Sequence, residues 1–300
     1  MVDGEVVEPS PPKAVGLVVH GGRPEAIETA HQVTKLLLDT GVTVVGCKED
    51  CWSAGVHGID VRSSAEFGSD LDVVLSMGGD GTFLRAAYWS RAGGVPLLGV
   101  NFGRLGFLSE IEEPDLAGAV RRLVAGDFDV EERMTLTVEV TDEHGEISAT
   151  SWALNEASVE RTVPRRLVVL EVRLGDVVFA HIPADGVICA TPTGSTAYAF
   201  SAGGPIMSPL VDAILLVPVA PHTLFSRTVV VDPAETLSVR CIGGDNDCVV
   251  TCDGRESIPV PPGGAVRVGR GNLPVRLVRL GPFSFYERVR DKFGLRIGRA

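Results

Sequence analysis

Asp80 sits among glycines in Ser76-Met77-Gly78-Gly79-Asp80-Gly81-Thr82, the stretch of this chain best suited to chemistry. The apolar run Leu71-Asp72-Val73-Val74-Leu75 precedes it, and a helical pattern, Phe83-Leu84-Arg85-Ala86-Ala87-Tyr88, follows. A strand, a glycine turn and a helix N-terminus together let the backbone approach phosphate oxygens. Glycine tolerates φ > 0 and has no Cβ to block that approach. The Asp80 carboxylate then stands at the mouth of the strand, beside any bound phosphate, where it can hold a metal or accept a hydroxyl proton. The plainer alternative is a tight turn in a doubly wound sheet, with Asp80 capping the helix. The loop is neither the Gly-x-x-x-x-Gly-Lys-Ser/Thr of a P-loop nor Gly-x-Gly-x-x-Gly.

A second segment runs from an apolar stretch into small hydroxylated residues: Asp185-Gly186-Val187-Ile188-Cys189-Ala190-Thr191-Pro192-Thr193-Gly194-Ser195-Thr196-Ala197-Tyr198. Such a loop offers backbone N–H groups, hydroxyls and one aromatic face, which suits a nucleotide. A Ser/Thr-rich turn of a β protein is the alternative, and Tyr198 could equally be core, as aromatics usually are. Asn155 and Glu156 follow Trp152-Ala153-Leu154. An acid there is a good acceptor for vicinal ribose hydroxyls, and an amide presents donor and acceptor together to an adenine edge; a strand-end turn is the other reading. Arg85 lies one helical turn past Gly81, and Arg165-Arg166 follow Pro164 in a loop; each could face phosphate or be solvated surface charge.

The net charge of −12 argues against a nucleic-acid surface, which is normally basic. No apolar run approaches the ~20 residues needed to span a bilayer. The first dozen residues are acidic and proline-rich and lack the basic start and apolar core of a signal peptide. A disordered lead-in over 1–13 and a cytoplasmic location are therefore expected. The six cysteines form no close Cys-x-x-Cys pair. Cys248 and Cys252 share a strand face, and buried thiols are expected there rather than zinc ligands.

Positioning these residues requires two kinds of architecture. Over 14–133 short apolar strands alternate with helical patterns, which implies an α/β domain with a parallel, Rossmann-like sheet. Helical periodicity puts Ile27, Ala30, Val33, Leu37 and Leu38 largely on one side, and Gly41 ends that helix. Ligands of such sheets bind beyond the carboxyl ends of the strands, where Gly78–Gly81 and Asn101–Gly106 both lie. From Met134 the period becomes two, and short strands with turn residues continue to 281. That region reads as an all-β, sandwich-like domain. The tail over 282–300 looks helical and basic.

The two loops together resemble NAD kinases. So do Asn101-Phe102-Gly103-Arg104-Leu105-Gly106-Phe107-Leu108, Asn155-Glu156, Ser201-Ala202-Gly203-Gly204-Pro205-Ile206, Pro221-His222-Thr223-Leu224 and Asp253-Gly254, in the family's order and over about Val15 to Phe293. Gly-Gly-Asp-Gly-Thr alone is shared with lipid kinases and phosphofructokinases, so a lipid or sugar kinase is a competing reading, as is a non-catalytic dinucleotide-binding regulator. The resemblance implies transfer of a phosphoryl group from ATP or polyphosphate, with Mg²⁺, to the 2′-hydroxyl of the adenosine ribose of NAD. It implies Asp80 as the catalytic acid, with Gly78, Gly79, Gly81 and Thr82 forming the phosphate-donor loop. It implies NAD contacts at Asp80, Gly81, Arg85, Asn155, Glu156, Arg166, Asp185, Thr196, Ala197, Tyr198, Ala199, Phe200, Ser201 and Ala220. It further implies a tail packed back on the first domain, a homodimer or homotetramer built by the β domains, and an Asp185 that can reach NAD bound by a neighbouring subunit. Met77 departs from the family's smaller residue there, and Cys47–Phe67 carries no family motif.

Overall fold

The computed structural model describes residues 10–53, 56–103, 106–162, 168–224, 226–242 and 248–295. Most of the expected lead-in, together with Arg104, Leu105 and the candidate Arg166, lies outside the described residues. The chain divides into one unit formed by residues 1–132 and 275–300 and a second formed by 133–274. No helix among the described residues is long and apolar enough to cross a membrane.

The first unit is an α/β layer structure. Its sheet runs in the order Asp60–Arg62, Thr43–Cys47, Ala14–Val19, Val73–Met77, Leu97–Asn101, Val275–Arg279 and Asp129–Arg133, with Ile111–Glu112 also paired to Leu97–Asn101. Pairing is parallel from Asp60–Arg62 across to Val275–Arg279. Val73–Met77 and Leu97–Asn101 are buried along their whole length, as parallel strands covered on both faces must be. Helix Pro24–Asp39 buries Ala26, Ala30, Val33 and Leu37, with Ile27 and Leu38 partly covered, and Gly41 takes the left-handed φ of 79° just beyond its end. The strand expected at Leu71–Leu75 begins at Val73, and Asp72 just before it closes the strand end: its N–H donates to the Ala14 carbonyl at 2.9 Å while its carboxylate accepts the N–H groups of Lys13 and Ala14.

The order of connection reverses between Ala14–Val19 and Val73–Met77: the chain first builds outward to Asp60–Arg62 and then returns to the other side. Such a reversal leaves a crevice beyond the carboxyl ends of the two central strands. Gly78–Gly81 leaves one of those ends and His20-Gly21-Gly22-Arg23 the other.

The C-terminal residues complete this unit. Val275–Arg279 enters the parallel sheet, so the chain leaves the β unit at Pro274, earlier than the 281 expected from the strand pattern. The helix Phe285–Phe293 then packs on the same unit, as the tail was expected to do. Ser284 caps its start, with Oγ accepting the Glu287 N–H at 3.3 Å, and Gly294 ends it at a left-handed φ of 62°.

The second unit is a sandwich of two six-stranded sheets whose registered pairings are all antiparallel. One runs Val229–Val231, Ile214–Val219, Gly186–Ala190, Glu156–Arg161, Cys248–Cys252, Ile258–Val260. The other runs Val177–Ala184, Val168–Leu174, Leu237–Ile242, Ala265–Arg270, Leu136–Thr141, Ile147–Ala153. Inward residues of both, including Leu136, Val159, Leu170, Val187, Leu216 and Val250, make one core, and Cys248 and Cys252 are buried in it. Where one face is buried, alternation specifies register, and the pattern buried–intermediate–buried of Leu136–Thr141 shows it.

Arg279, in the first unit, is a charge buried between two acids. Its Nη1 meets Glu110 Oε2 at 2.6 Å and its Nη2 meets Glu131 Oε1 at 3.1 Å, with only 5% of its side chain exposed. Its guanidinium lies 4.0 Å from the centroid of the Phe283 ring. Removing one partner of a buried network strands the others. Arg279→Ala should therefore lower the unfolding free energy by about 3–5 kcal/mol, read from urea denaturation. A loss below about 1 kcal/mol would mean that Glu110 and Glu131 find water instead.

Candidate active site

Asp80 is the first residue of helix Asp80–Ser90, and Gly79 occupies the cap position. Asp80 therefore does not cap the helix. Its carboxylate reaches sideways: Oδ2 accepts the Phe107 N–H at 3.1 Å and Oδ1 accepts the Leu108 N–H at 3.1 Å. Gly106 makes this possible, since a Cβ there would overlap the carboxylate. Two charge-assisted bonds of about 1.5–3 kcal/mol each hold the plane of the acid. The remaining lone pairs stay available to a ligand.

The loop glycines act by what they lack rather than by unusual φ, because Gly78, Gly79 and Gly81 all avoid the left-handed region. At Gly78 a Cβ would overlap the Thr82 hydroxyl. At Gly79 and Gly81 it would meet nothing within 4 Å. The protein's own packing thus explains Gly78, whereas Gly79 and Gly81 leave open space at the start of a helix, where the first N–H groups have no partner inside the helix and anions are favoured. Thr82 faces inward: it is buried, and its N–H goes to the Gly79 carbonyl at 2.9 Å.

Arg85 has partners within the protein. Its Nη2 pairs with Asp50 Oδ1 at 2.9 Å and donates to the Val19 carbonyl at 2.7 Å. Asp50, in the segment that carried no motif, also accepts the Val19 N–H at 2.8 Å. Burial pushes the Asp50 carboxyl up, against the Val19 bond and the Arg85 charge that pull it down. Arg85 thereby ties its helix to the end of Ala14–Val19. A cation that periodicity did not single out, Arg23, lines a cavity of about 470 Å³ with Glu25, Asn101, Phe102, Gly103, Glu112 and Pro114. The Gly-Gly-Arg-Pro turn at the end of a strand was the available signal.

In the second unit Leu154 and Asn155 form a bend, gripped from two sides, that leads into the strand begun by Glu156. Asp253 accepts three successive N–H groups, from Leu154 at 2.7 Å, Asn155 at 2.8 Å and Glu156 at 3.1 Å. It does so from a left-handed φ of 50°, a region that aspartate tolerates better than most residues. On the other side the Thr191 N–H bonds the Asn155 carbonyl at 2.8 Å, and the Thr191 hydroxyl bonds the Leu154 carbonyl at 2.5 Å. Gly194 packs so tightly on Asn155 that a Cβ would overlap its carbonyl. Glu156 is buried and its Oε2 has no hydrogen-bond partner. Burial first, and then the nearby Asp253 charge, push its carboxyl up to about 7, opposed by a backbone hydrogen bond at Tyr198. An orphaned buried acceptor beside a loop of small residues is what a ribose hydroxyl would satisfy.

The 196–201 wall divides into two kinds of residue. Tyr198 is 38% exposed rather than core, and its hydroxyl donates to Glu160 Oε1 at 2.7 Å. Burial of the hydroxyl and that bond push the phenol up to about 12. Phe200 and Ser201 are exposed, and Thr196 and Ala197 half-buried. Ala199 is fully buried against Ile188, Ala190, Leu215 and Val217, so only its backbone can meet a ligand. Asp185 pairs with Arg161 at 2.9 Å in its own chain. Ala220 is exposed and holds a φ of 45°, a strained conformation for alanine, just after Ile214–Val219.

These two clusters fall within the two family models that the chain matches. The ATP-NAD kinase N-terminal domain covers residues 15–128 and the ATP-NAD kinase C-terminal domain residues 154–280. Among relatives, NAD kinase 2 of Streptomyces coelicolor is 41% identical over 286 residues, covering 94% of this chain and 95% of its own. The NAD kinase of Nocardia farcinica is 42% identical over 297 residues, covering 93% and 90%. Among solved structures, yeast NADH kinase with NADH superposes at a TM-score of 0.86 and 22% identity, over 97% of this chain and 90% of that one. An Archaeoglobus fulgidus NAD kinase with ATP superposes at 0.68 and 25% identity, over 94% and 96%. Matches over both halves set aside the lipid and sugar kinases that share only the glycine loop. With one family model over residues 15–128, the other over 154–280 and relatives about 40% identical over most of its length, the chain belongs to the NAD kinase family, which phosphorylates NAD to NADP.

Proposed function

We propose that Asp80 acts at the 2′-hydroxyl of the adenosine ribose of NAD, orienting it or accepting its proton, while ATP gives up the phosphoryl group. The observation that carries this reading is the carboxylate clamped by Phe107 and Leu108 at the open start of a helix. Phosphoryl transfer requires alignment and charge neutralisation more than covalent chemistry. The two backbone bonds fix the direction of the carboxylate, which favours the orienting role. Gly79 and Gly81 leave room for donor phosphates at the start of the helix. ATP is the donor by analogy with the Archaeoglobus enzyme, with inorganic polyphosphate the alternative.

A divalent cation fits this loop in one way. Among the described residues no group of three His, Cys, Asp or Glu side chains could cage it. Magnesium is commonly held by one or two carboxylates together with substrate phosphates, and Asp80 supplies such a carboxylate. When bound, the ion offsets phosphate charge.

In this reading Asn155 and Glu156 hold the adenosine, Tyr198 offers it a face, and Asp185 serves the nicotinamide end. Assembly as a homodimer or homotetramer is supported by Val177–Ala184, which forms the edge of its sheet with Val177, Val178 and Phe179 exposed in succession; an uncovered apolar edge is a liability. A cytoplasmic location is supported by Cys47, Cys189 and Cys252, which are thiols rather than disulfides.

Asp80→Asn is expected to cut turnover by about 10²–10⁴-fold while NAD binding stays within a few-fold. Retention of more than about a tenth of the activity would take Asp80 out of the chemistry. Glu156→Gln should raise KM for NAD about tenfold, the loss of a charge-assisted bond, with the donor KM unmoved; a selective rise in donor KM contradicts the assignment. The same variant has a stability signature. The folded protein keeps a proton on Glu156 up to about pH 7, whereas the unfolded chain releases it near 4.5. Wild-type stability therefore falls as pH rises through that window. The stability of Glu156→Gln relative to wild type should grow by about 2–4 kcal/mol between roughly pH 4 and pH 8; a constant difference means the carboxyl is not held up by burial. Mass measurement in solution should show an oligomer that Phe179→Lys weakens, and an active monomer ends the assembly proposal.

A further inference from the structure

The peptide plane that carries the Phe107 N–H also carries the Gly106 carbonyl, and the two point in opposite directions. Whatever fixes that carbonyl aims that N–H. Arg288, on the C-terminal helix, does so: its Nη1 donates to the Gly106 carbonyl at 2.9 Å and also to the Ser109 carbonyl. One guanidinium therefore closes the arc whose two inner N–H groups, of Phe107 and Leu108, hold Asp80. The same helix grips the arc from above. The Phe107 ring lies 6.3 Å from both Phe285 and Phe293, and Lys292 Nζ stands 4.9 Å from its centroid. Beyond the arc, Glu110 is fixed by Arg279 at 2.6 Å and by its own N–H to the Gly99 carbonyl at 2.8 Å. A cation on the far side of a peptide also polarises it, strengthening the N–H as a donor.

We infer that Arg288 is a positioning residue for the phosphoryl-transfer step: from the C-terminal helix it sets the direction and strength of the Phe107 N–H and closes the arc that carries the Leu108 N–H, the two backbone donors that hold the Asp80 carboxylate. The inference rests on the reading of Asp80 as the group at the ribose hydroxyl. It makes the tail part of the catalytic apparatus without contact to substrate. A group displaced by even an ångström can cost about 10²-fold in rate, so the effect belongs in kcat and not in KM.

The test compares full-length Arg288→Ala, Arg288→Lys, Asp80→Asn and Arg290→Ala; Arg290 is on the same helix and pairs with its neighbour Asp291 at 2.8 Å. Steady-state kinetics with NAD, ATP and Mg²⁺ are read beside amide hydrogen exchange at Phe107 and Leu108. In Arg288→Ala, kcat should fall about 10–100-fold, both KM values should stay within about threefold, and the two amides should exchange about tenfold faster. Arg288→Lys, with a single ammonium in place of a fork, should recover part of both effects, and Arg290→Ala should change neither. A kcat within about twofold of wild type in folded Arg288→Ala, or unchanged exchange at Phe107 and Leu108, overturns the proposal. If Arg288→Ala does not fold, Arg288→Lys decides by the same two readings, and wild-type kcat with wild-type exchange overturns it. Activity retained in Asp80→Asn sinks the underlying assignment of Asp80 instead, while the exchange data still report on the arc.

Discussion

A carboxylate that accepts consecutive backbone N–H groups from a distant loop is the interaction on which both candidate loops depend. Asp80 holds Phe107 and Leu108, and Asp253 holds Leu154, Asn155 and Glu156. Each acid is followed by glycine, Gly81 or Gly254. Asp72 uses the same device on Lys13 and Ala14, where it only closes a strand end. The difference is what the grip leaves over. At Asp72 nothing of chemical interest is displayed, whereas Asp80 is itself the displayed group and Asp253 displays Glu156. Bonds of this charge-assisted kind are short, directional and about twice as strong as neutral ones, so they order loops that have no ladder of their own.

Close approach is the second constraint, and glycine supplies it at two points. Gly106 admits the Asp80 carboxylate and Gly194 admits the Asn155 carbonyl. Each glycine is required by steric exclusion, since neither has a positive φ. In the first unit the constraint is reinforced by cations on aromatic faces: Arg279 and Arg288 both lie over Phe283, at 4.0 and 5.0 Å from its centroid. Two guanidiniums beside one ring would repel if left bare. Glu110 lies against Arg279 and its charge reaches Arg288, and burial outweighs that charge to push the Arg288 guanidinium down.

Much of this was legible in the residues. The switch from a helical period to an alternating one near Met134 marks the change of unit, and the Gly-Gly-Asp-Gly loop and the Thr-Pro-Thr-Gly-Ser run carry the resemblance to the family whose two models the chain matches. The wiring behind them was not legible, because it joins residues far apart in sequence. Arg85 read as a phosphate contact or a solvated charge and proved to be tied to Asp50, from a stretch without any motif. Arg288 read as one charge among several on a basic tail and is half-buried, held to the Gly106 carbonyl. Arg23 had only a short turn around it. A charge's partner, unlike its helix face, carries no local period, and Asp253 shows the same: its left-handed backbone and three donors are a property of the folded unit alone.

The first unit is assembled from both ends of its sequence, whereas the second occupies one unbroken stretch. On a ribosome, where the chain emerges from its start, the β sandwich is complete before the sheet that precedes it can accept Val275–Arg279 as its inner strand. The usual order, in which the earlier domain folds first, is inverted. Until Phe285–Phe293 has emerged, Arg288 is absent and the Gly106 arc is open on that side. A chain cut before Phe285–Phe293 thus carries the β sandwich whole, with the Gly106 arc open on the side that Arg288 closes.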